Sequence, residues 1–313
     1  MRLVIALGGN ALVRRGQRGT IREQVENAMR AARAVAEVVE EGHEVVLTHG
    51  NGPQVGDILE MAEMVSDEIP RVQMDVAVAM TQGWIGYLLQ QAISNEFRRR
   101  GIEMGIVTLV TRTLVDRNDP EFLSPTKFVG PYYDRERALR VSKERGWIMK
   151  KDPRGGWRRV VPSPDPKGQL EVEAIRRLIE SNFLVIASGG GGIPVVEEDG
   201  ELVGVEAVVD KDLAAAILAL SLNADFFISL TDVEGAKLNF GGPREELIGR
   251  VSVEEIERYY LEGHFSPGSM GPKVLACIRF IRGGGRRQLQ GKNTGRHSLR
   301  ERVVHLRRNT LCS

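Results

Sequence analysis

Three short apolar runs in this chain, at residues 3–7, 45–48 and 183–187, each end within two residues in glycine: Gly8-Gly9, Gly50 with Gly52, and Gly189-Gly190-Gly191-Gly192. Short apolar runs that show no polar alternation are the pattern of strands buried on both faces, which belong to parallel sheets covered by helices. Between the runs the spacing becomes helical. Thr20 with Glu23 three residues later forms a capping box, Ile21, Val25, Ala28, Ala32, Val35 and Val39 make one apolar stripe, and Gly42 ends the helix. Pro53 suits the first turn of the next helix. Residues 72–100 read as a long helix, apolar on more than one face around 84–89, hence central or at a subunit interface. Further strands are expected at 106–110 and 226–230. The fold class is α/β, with βα units around a largely parallel sheet.

Two stretches interrupt this alternation. Residues 116–167 are rich in Pro, Gly and charge, and within them 147–151 and 157–161 flank Asp152-Pro153-Arg154-Gly155-Gly156, a hairpin pattern on an inserted lobe. Residues 283–313 hold eight basic side chains and the single acid Glu301, a charge of 8 − 1 = +7, which leaves 35 − 41 = −6 on residues 1–282. This tail shows no buried strand, although Leu299, Val303 and Leu306 suit one short helix; it reads as a solvated basic segment. It has no aromatic residue to stack on a base, so no nucleic-acid partner is expected.

At 313 residues the chain can form one large or two modest domains with a substantial core. A net charge of +1 excludes a globally basic nucleic-acid binder and an acidic disordered chain. Cys277 and Cys312 cannot supply a disulfide framework, and no apolar run approaches the roughly 18 residues of a membrane span. A cytoplasmic protein without a membrane partner is expected.

In open α/β sheets the crevice beyond the strands' carboxyl ends is the usual ligand site, and glycine there lets backbone approach an anion closely. One such cluster is as easily a tight turn; three together point to an anion site. Neither G-x-x-x-x-G-K-[ST] nor a properly spaced G-x-G-x-x-G occurs, which argues against P-loop and dinucleotide-binding enzymes. His43, His49, His264, His297 and His305 show no metal-ligand spacing.

The lysines say more. Of 43 basic residues nine are Lys, leaving 43 − 9 = 34 Arg. Lys211 precedes the helical run 213–222, and Lys273 follows Pro272 at the expected start of a helix over 272–281. A cation at a helix N-terminus is disfavoured by roughly 0.3–1 kcal/mol, a penalty that a bound anion reverses. Lys is also a compact charge able to follow a moving phosphoryl group, whereas Arg holds a fixed fork. The plainer readings are a surface ion pair of Lys211 with Asp210 or Asp212, and a solvated Lys273. Lys127, on a Pro-framed loop, reads physically as surface decoration, Asp212 as an N-cap, and Asn10 and Asn51 as turn residues.

In combination the motifs are specific. Gly8-Gly9-Asn10-Ala11, His49-Gly50-Asn51-Gly52-Pro53-Gln54-Val55-Gly56, Pro125-Thr126-Lys127, Arg158-Arg159-Val160-Val161-Pro162-Ser163-Pro164, Asp210-Lys211-Asp212, Thr231-Asp232-Val233 and Gly268-Ser269-Met270-Gly271-Pro272-Lys273 occur in that order. Over about residues 1–282 they closely resemble the carbamate kinases of the amino-acid kinase family. The resemblance implies a three-layer αβα sandwich with a mostly parallel central sheet and a small inserted lobe. It implies a homodimer using ATP or ADP, with Mg²⁺ held mainly through the nucleotide phosphates and no metal-ligand set of the protein's own. Residues 1–180, with the lobe at about 116–167, would hold carbamate or carbamoyl phosphate, and 181–282 the nucleotide. Gly8, Gly9, Asn10, Gly50 and Asn51 fall to the acceptor side; Gly190, Gly191, Thr231, Asp232 and Met270 lie near the nucleotide; Lys127, Lys211, Asp212 and Lys273 carry the catalysis.

The implied reaction is reversible phosphate transfer between ATP and carbamate, giving ADP and carbamoyl phosphate without a covalent intermediate. The attacking oxygen of carbamate is already anionic, so no general base is needed; the task is positioning and electrostatics. After Gly284 the likeness breaks. Family members continue with a short apolar strand, a helix and a last strand, whereas this chain turns basic, as a shifted reading frame would make it. A missing sheet strand would cost on the order of several kcal/mol. Two other readings therefore stand beside the first. One is another amino-acid kinase acting on a small carboxylate such as acetylglutamate, against which the lobe argues; the other is a nucleotide-binding homologue impaired by its tail.

Overall fold

The computed structural model describes residues 1–8, 12–14, 16–65, 68–152, 155–231, 233, 235–266, 270–285, 287–292 and 304–307. It begins with β1 (Arg2–Leu7), α1 (Ile21–Glu40), β2 (Glu44–His49), α2 (Gly52–Met64), α3 (Met74–Arg100), β3 (Gly105–Thr108) and β4 (Arg112–Val115). Then follow β5 (Lys127–Tyr133), α4 (Arg135–Arg145), β6 (Met149–Lys151), β7 (Trp157–Val161), β8 (Pro166–Gln169), α5 (Val172–Glu180) and β9 (Phe183–Ile186). Next come β10 (Ile193–Glu198), β11 (Glu201–Gly204), α6 (Lys211–Ser221), β12 (Phe226–Thr231), β13 (Lys237–Leu238) and β14 (Glu246–Leu247). The chain closes with β15 (Val251–Ser252), α7 (Val253–Leu261), α8 (Met270–Arg282), β16 (Arg287–Lys292) and β17 (Val304–Arg307).

The apolar runs become neighbouring strands because each can bury two faces. The central sheet has the order β15-β17-β16-β12-β1-β2-β9-β3. β1 runs parallel to both β12 and β2, with Ile5 opposite Ile228 and Leu47, and β9 continues the parallel set between β2 and β3. Residue parity then sorts side chains into layers. Leu3, Ile5 and Leu7 join Val45, Leu47, Leu184 and Ile186 under α1 and α3. Val4, Ala6, Val46, Val185 and Phe227 pack beneath α5, α6, α7 and α8. This is the three-layer αβα sandwich. Thr20 caps α1 as its sequence predicts: its hydroxyl accepts from Glu23 N–H, and the Glu23 carboxylate accepts from Thr20 N–H.

The lobe leaves and returns at neighbouring strands, since β4 pairs antiparallel with β8. Its own sheet, β5-β7-β6, packs Tyr133, Ala138 and Val141 against Trp147, Met149 and Trp157. The expected hairpin is there, with Lys151 opposite Trp157; Pro153 and Arg154 lie outside the described residues.

The tail departs from expectation. β16 lies parallel to β12, with Thr231 opposite Lys292, and β17 runs antiparallel to β16, so Leu306 sits in a strand and not in a helix. Leu299 and Val303 fall outside the described residues. The pattern concealed these strands because their pairing with β12, β15 and each other is made by backbone donors and acceptors, which an extended chain can satisfy without an apolar signature. Among the described residues no helix is long and apolar enough to cross a membrane.

Candidate active site

Because β1, β2, β9 and β12 are parallel, their carboxyl ends open on one side of the sheet, and the glycine motifs meet there. Gly8 N–H donates to Leu230 O at 3.1 Å and Gly50 N–H to Leu7 O at 3.0 Å. Both extend the sheet by one bond. Their N–H groups are therefore taken up by the strands.

The tetraglycine turn after β9 is wedged between Asn51, before α2, and Val209, before α6. Gly190, Gly191 and Gly192 have φ of 66°, 94° and 87°, and Ser188 is also left-handed at 53°. A Cβ on Gly190 would lie 2.2 Å from Asn51 Nδ2, and one on Gly191 would lie 2.4 Å from Val209 O. Asn51 is buried, and its Nδ2 donates to Thr81 Oγ1 at 2.9 Å, so its side chain is committed to α3 instead of shaping a turn. Gly190→Ala is expected to cost about 1–3 kcal/mol through strain and displacement of Asn51, read as a lower midpoint of thermal unfolding.

His49, the last residue of β2, lies under the same turn. Burial, with Lys211 nearby, takes its pKa down to about 4 despite the opposing pull of the Gly50 carbonyl, 3.1 Å from Nδ1. It is a neutral, structural imidazole.

The charged centre is built at the starts of α6 and α8. Asp210 caps α6: its Oδ1 accepts from the N–H groups of Asp212 at 2.9 Å and Leu213 at 3.4 Å. The cap is thus Asp210, and Asp212 is free for another task. Asp212 is buried; its Oδ1 accepts from Lys211 Nζ at 2.8 Å and Ser229 Oγ at 2.9 Å, and its Oδ2 from Lys273 Nζ at 2.8 Å. From the lobe, Lys127 Nζ at the start of β5 donates to Asp210 Oδ2 at 3.2 Å. Lys127, Lys211 and Lys273 therefore converge on two carboxylates two residues apart in sequence, and neither the surface pair nor the solvated lysine is what forms.

The electrostatics follow from burial and pairing. Desolvation works to raise the Asp212 pKa, but the Lys211 and Lys273 ammoniums more than reverse it and hold the carboxyl well below its ordinary range. Burial pushes Lys211 down to about 8, against the attraction of Asp212 and with help from Lys273. Burial also opposes the charge on Lys273, yet Asp212 prevails and raises its pKa. Three ammoniums and two carboxylates leave one net positive charge at two helix N-termini, an arrangement that attracts and orients a phosphoryl group.

Met270 opens α8 two residues earlier than expected and packs against the apolar layer beneath it. Thr231 ends β12. Gly9, Asn10, Asp232, Gly268 and Ser269 lie outside the described residues. Two members of the centre escaped the sequence reading, Asp210 as cap and partner of Lys127, and Ser229 as a donor to Asp212. A lone Ser within the otherwise apolar stretch 226–230 was the available signal for the second.

Comparison with known proteins gives the family and the fold. The model of the Amino acid kinase family matches residues 1–289. The chain is 59% identical over 290 residues to the carbamate kinase of Pyrococcus horikoshii, covering 92% of each. Among solved structures, one from Aeropyrum pernix K1 is similar with a TM-score of 0.93 at 44% identity, covering 98% of this chain and 100% of that one. The carbamate kinase from Giardia lamblia bound to AMP-PNP is similar with a TM-score of 0.90 at 38% identity, covering 98% of each.

Proposed function

The chain belongs to the amino acid kinase family, and we infer from this that it catalyses reversible phosphate transfer between ATP and carbamate, giving ADP and carbamoyl phosphate. The observation that carries the mechanism is the meeting of Lys127, Lys211 and Lys273 around Asp210 and Asp212. A carbamate oxygen attacks the γ-phosphorus in line while the bond to the ADP oxygen breaks, and no proton has to move. Two anions must be held together, so fixed positive charge and orientation do the catalytic work. Lys211 and Lys273 carry charge on the transferring group, Asp212 holds their ammoniums in register, and Lys127 attends the acceptor.

Residues 1–180, with the lobe, are assigned to the carbamoyl end and 181–282 to the nucleotide. Gly8, Gly50 and Asn51 belong to the first, Gly190, Gly191 and Met270 to the second. Gly9, Asn10, Thr231 and Asp232 are assigned by resemblance alone. Pairing of β16 along β12 supports an intact sheet on the nucleotide side.

Among the described residues no three His, Cys, Asp or Glu side chains cluster as a cation cage, and Asp210 and Asp212 already hold lysines. This donor set fits a cation that arrives on the nucleotide and keeps its waters. Mg²⁺, when bound there, neutralises phosphate oxygens. We extend the reading to a homodimer, because α3 leaves Val76, Met80 and Tyr87 exposed along one face; sedimentation of the purified chain tests it.

ATP formation from carbamoyl phosphate and ADP tests the assignment, and ADP binding without turnover would overturn it. A pH profile tests the role of Lys211. The ammonium is the active form, so kcat/KM should fall above about pH 8 with the loss of one proton. In kcat the same limb should move to higher pH, because bound phosphate favours the charged lysine. A flat kcat/KM through pH 9 would separate this ionisation from turnover.

A further inference from the structure

We propose that Asp210 is a positioning residue for the reaction, the group that delivers the lobe's Lys127 to the same helix N-terminus that presents Lys211. This rests on the phosphate-transfer reading above and gives Asp210, there only a member of the cluster, a task of its own. The two oxygens of Asp210 have separate tasks. Oδ1 accepts the N–H groups of Asp212 and Leu213 and so starts α6, which fixes where Lys211 and Asp212 stand. Oδ2 accepts from Lys127 Nζ at 3.2 Å.

Lys127 needs such a partner. Its ammonium rides on a four-carbon stem, its side chain is 38% exposed, and it comes from a lobe that leaves the main sandwich at β4 and returns at β8. Left alone, a lysine of that exposure spreads over many rotamers in solvent. Lys211 and Lys273 need no such help, since both are buried against Asp212. Other ties of the lobe to the body include Arg159 with Glu206, Arg145 with Glu63, Arg279 with Asp165, Arg117 with Glu198, Val208 N–H with Pro162 O, and the packing of Val129 and Val161 on Val55 and Ile58. None of these orients the Lys127 ammonium. Asp210 is therefore the described group that converts attachment of the lobe into placement of its cation. A carboxylate beside an incoming dianion would otherwise repel it, and holding the third ammonium offsets that repulsion.

Asp210→Asn separates the two tasks, because Asn caps a helix about as well as Asp but offers Lys127 no charge. In purified protein the variant should keep the wild-type unfolding midpoint. It should lose about tenfold or more in kcat/KM for carbamoyl phosphate, with the KM for ADP little changed. On a Lys127→Ala background the same substitution should add almost nothing, since the two act as one unit. Asp210→Ala, which also removes the cap, should lower the unfolding midpoint as well. Wild-type kinetics in Asp210→Asn would overturn the assignment, as would losses that multiply in the double variant or a tightening of carbamoyl phosphate binding. If the wild-type chain itself makes no ATP, the phosphate-transfer reading fails first, and the two failures are thereby told apart.

Discussion

Lys211→Ala is expected to lower ATP formation from carbamoyl phosphate and ADP by more than about a thousandfold while the protein remains folded. A fixed cation on a transferring phosphoryl group is worth roughly 10³–10⁵ in rate in related chemistry. Lys211 stands at the first residue of α6, where the helix dipole adds to its charge and burial strengthens both. The fold should survive because Asp212 keeps Lys273 and Ser229 as donors and is not left as an orphaned buried charge. Steady-state kinetics with a thermal melt of the same preparation checks both halves. Near-normal turnover would remove Lys211 from the mechanism.

Asp212→Ala should do the reverse in stability and as much damage in activity. It removes the shared acceptor of Lys211, Lys273 and Ser229 and leaves two buried ammoniums facing each other. Breaking a buried ion pair in this way costs about 3–5 kcal/mol, a large fraction of a typical folding free energy. The pH dependence identifies the cause. Lys211 already has a folded-state pKa lowered from 10.5 to about 8, so between those values the unfolded chain binds more protons. Stability from this group therefore rises with pH across that window. Without Asp212 the lysine is depressed further, and the variant should recover more stability than wild type between pH 7 and pH 9. The Asp212 carboxyl itself works in the same sense in a separate, acidic window. Its folded pKa lies below the ordinary range, so its contribution is present above about pH 4 and is lost as the pH falls through the folded value. A variant with an unchanged midpoint at pH 7 would mean that the lysines find another counter-charge.

Much of the scaffold was legible because its signals are local. A strand covered on both faces must be apolar throughout, so β1, β2, β9 and β12 could be read from short runs. The capping box at Thr20 and Glu23 and the β6–β7 hairpin depend on residues close in the chain. Lys211 and Lys273 were conspicuous for a similar reason, as cations placed where a helix start disfavours them. Roles that depend on distant partners were harder to read. Within Asp210-Lys211-Asp212 the sequence points to Asp212 as the cap, whereas the folded chain gives that task to the Asp210 side chain. The tail strands were hidden because strand pairing is made by backbone, which carries no side-chain pattern.

The sequence by itself determined the layered α/β sandwich, the glycine turns at the strand ends and the identity of the charged residues. It also carried the order of motifs that ties the chain to its family. Only the tertiary structure decided the partners: Lys127 meets Asp210 from 83 residues away, and Lys273 shares Asp212 with Lys211 across 61. Periodicity and capping act over a turn or two of chain, and so they are written in adjacent residues. Ion pairing and burial act over a few ångströms of space, and it is the folding of the sheet and lobe that brings such distant residues together.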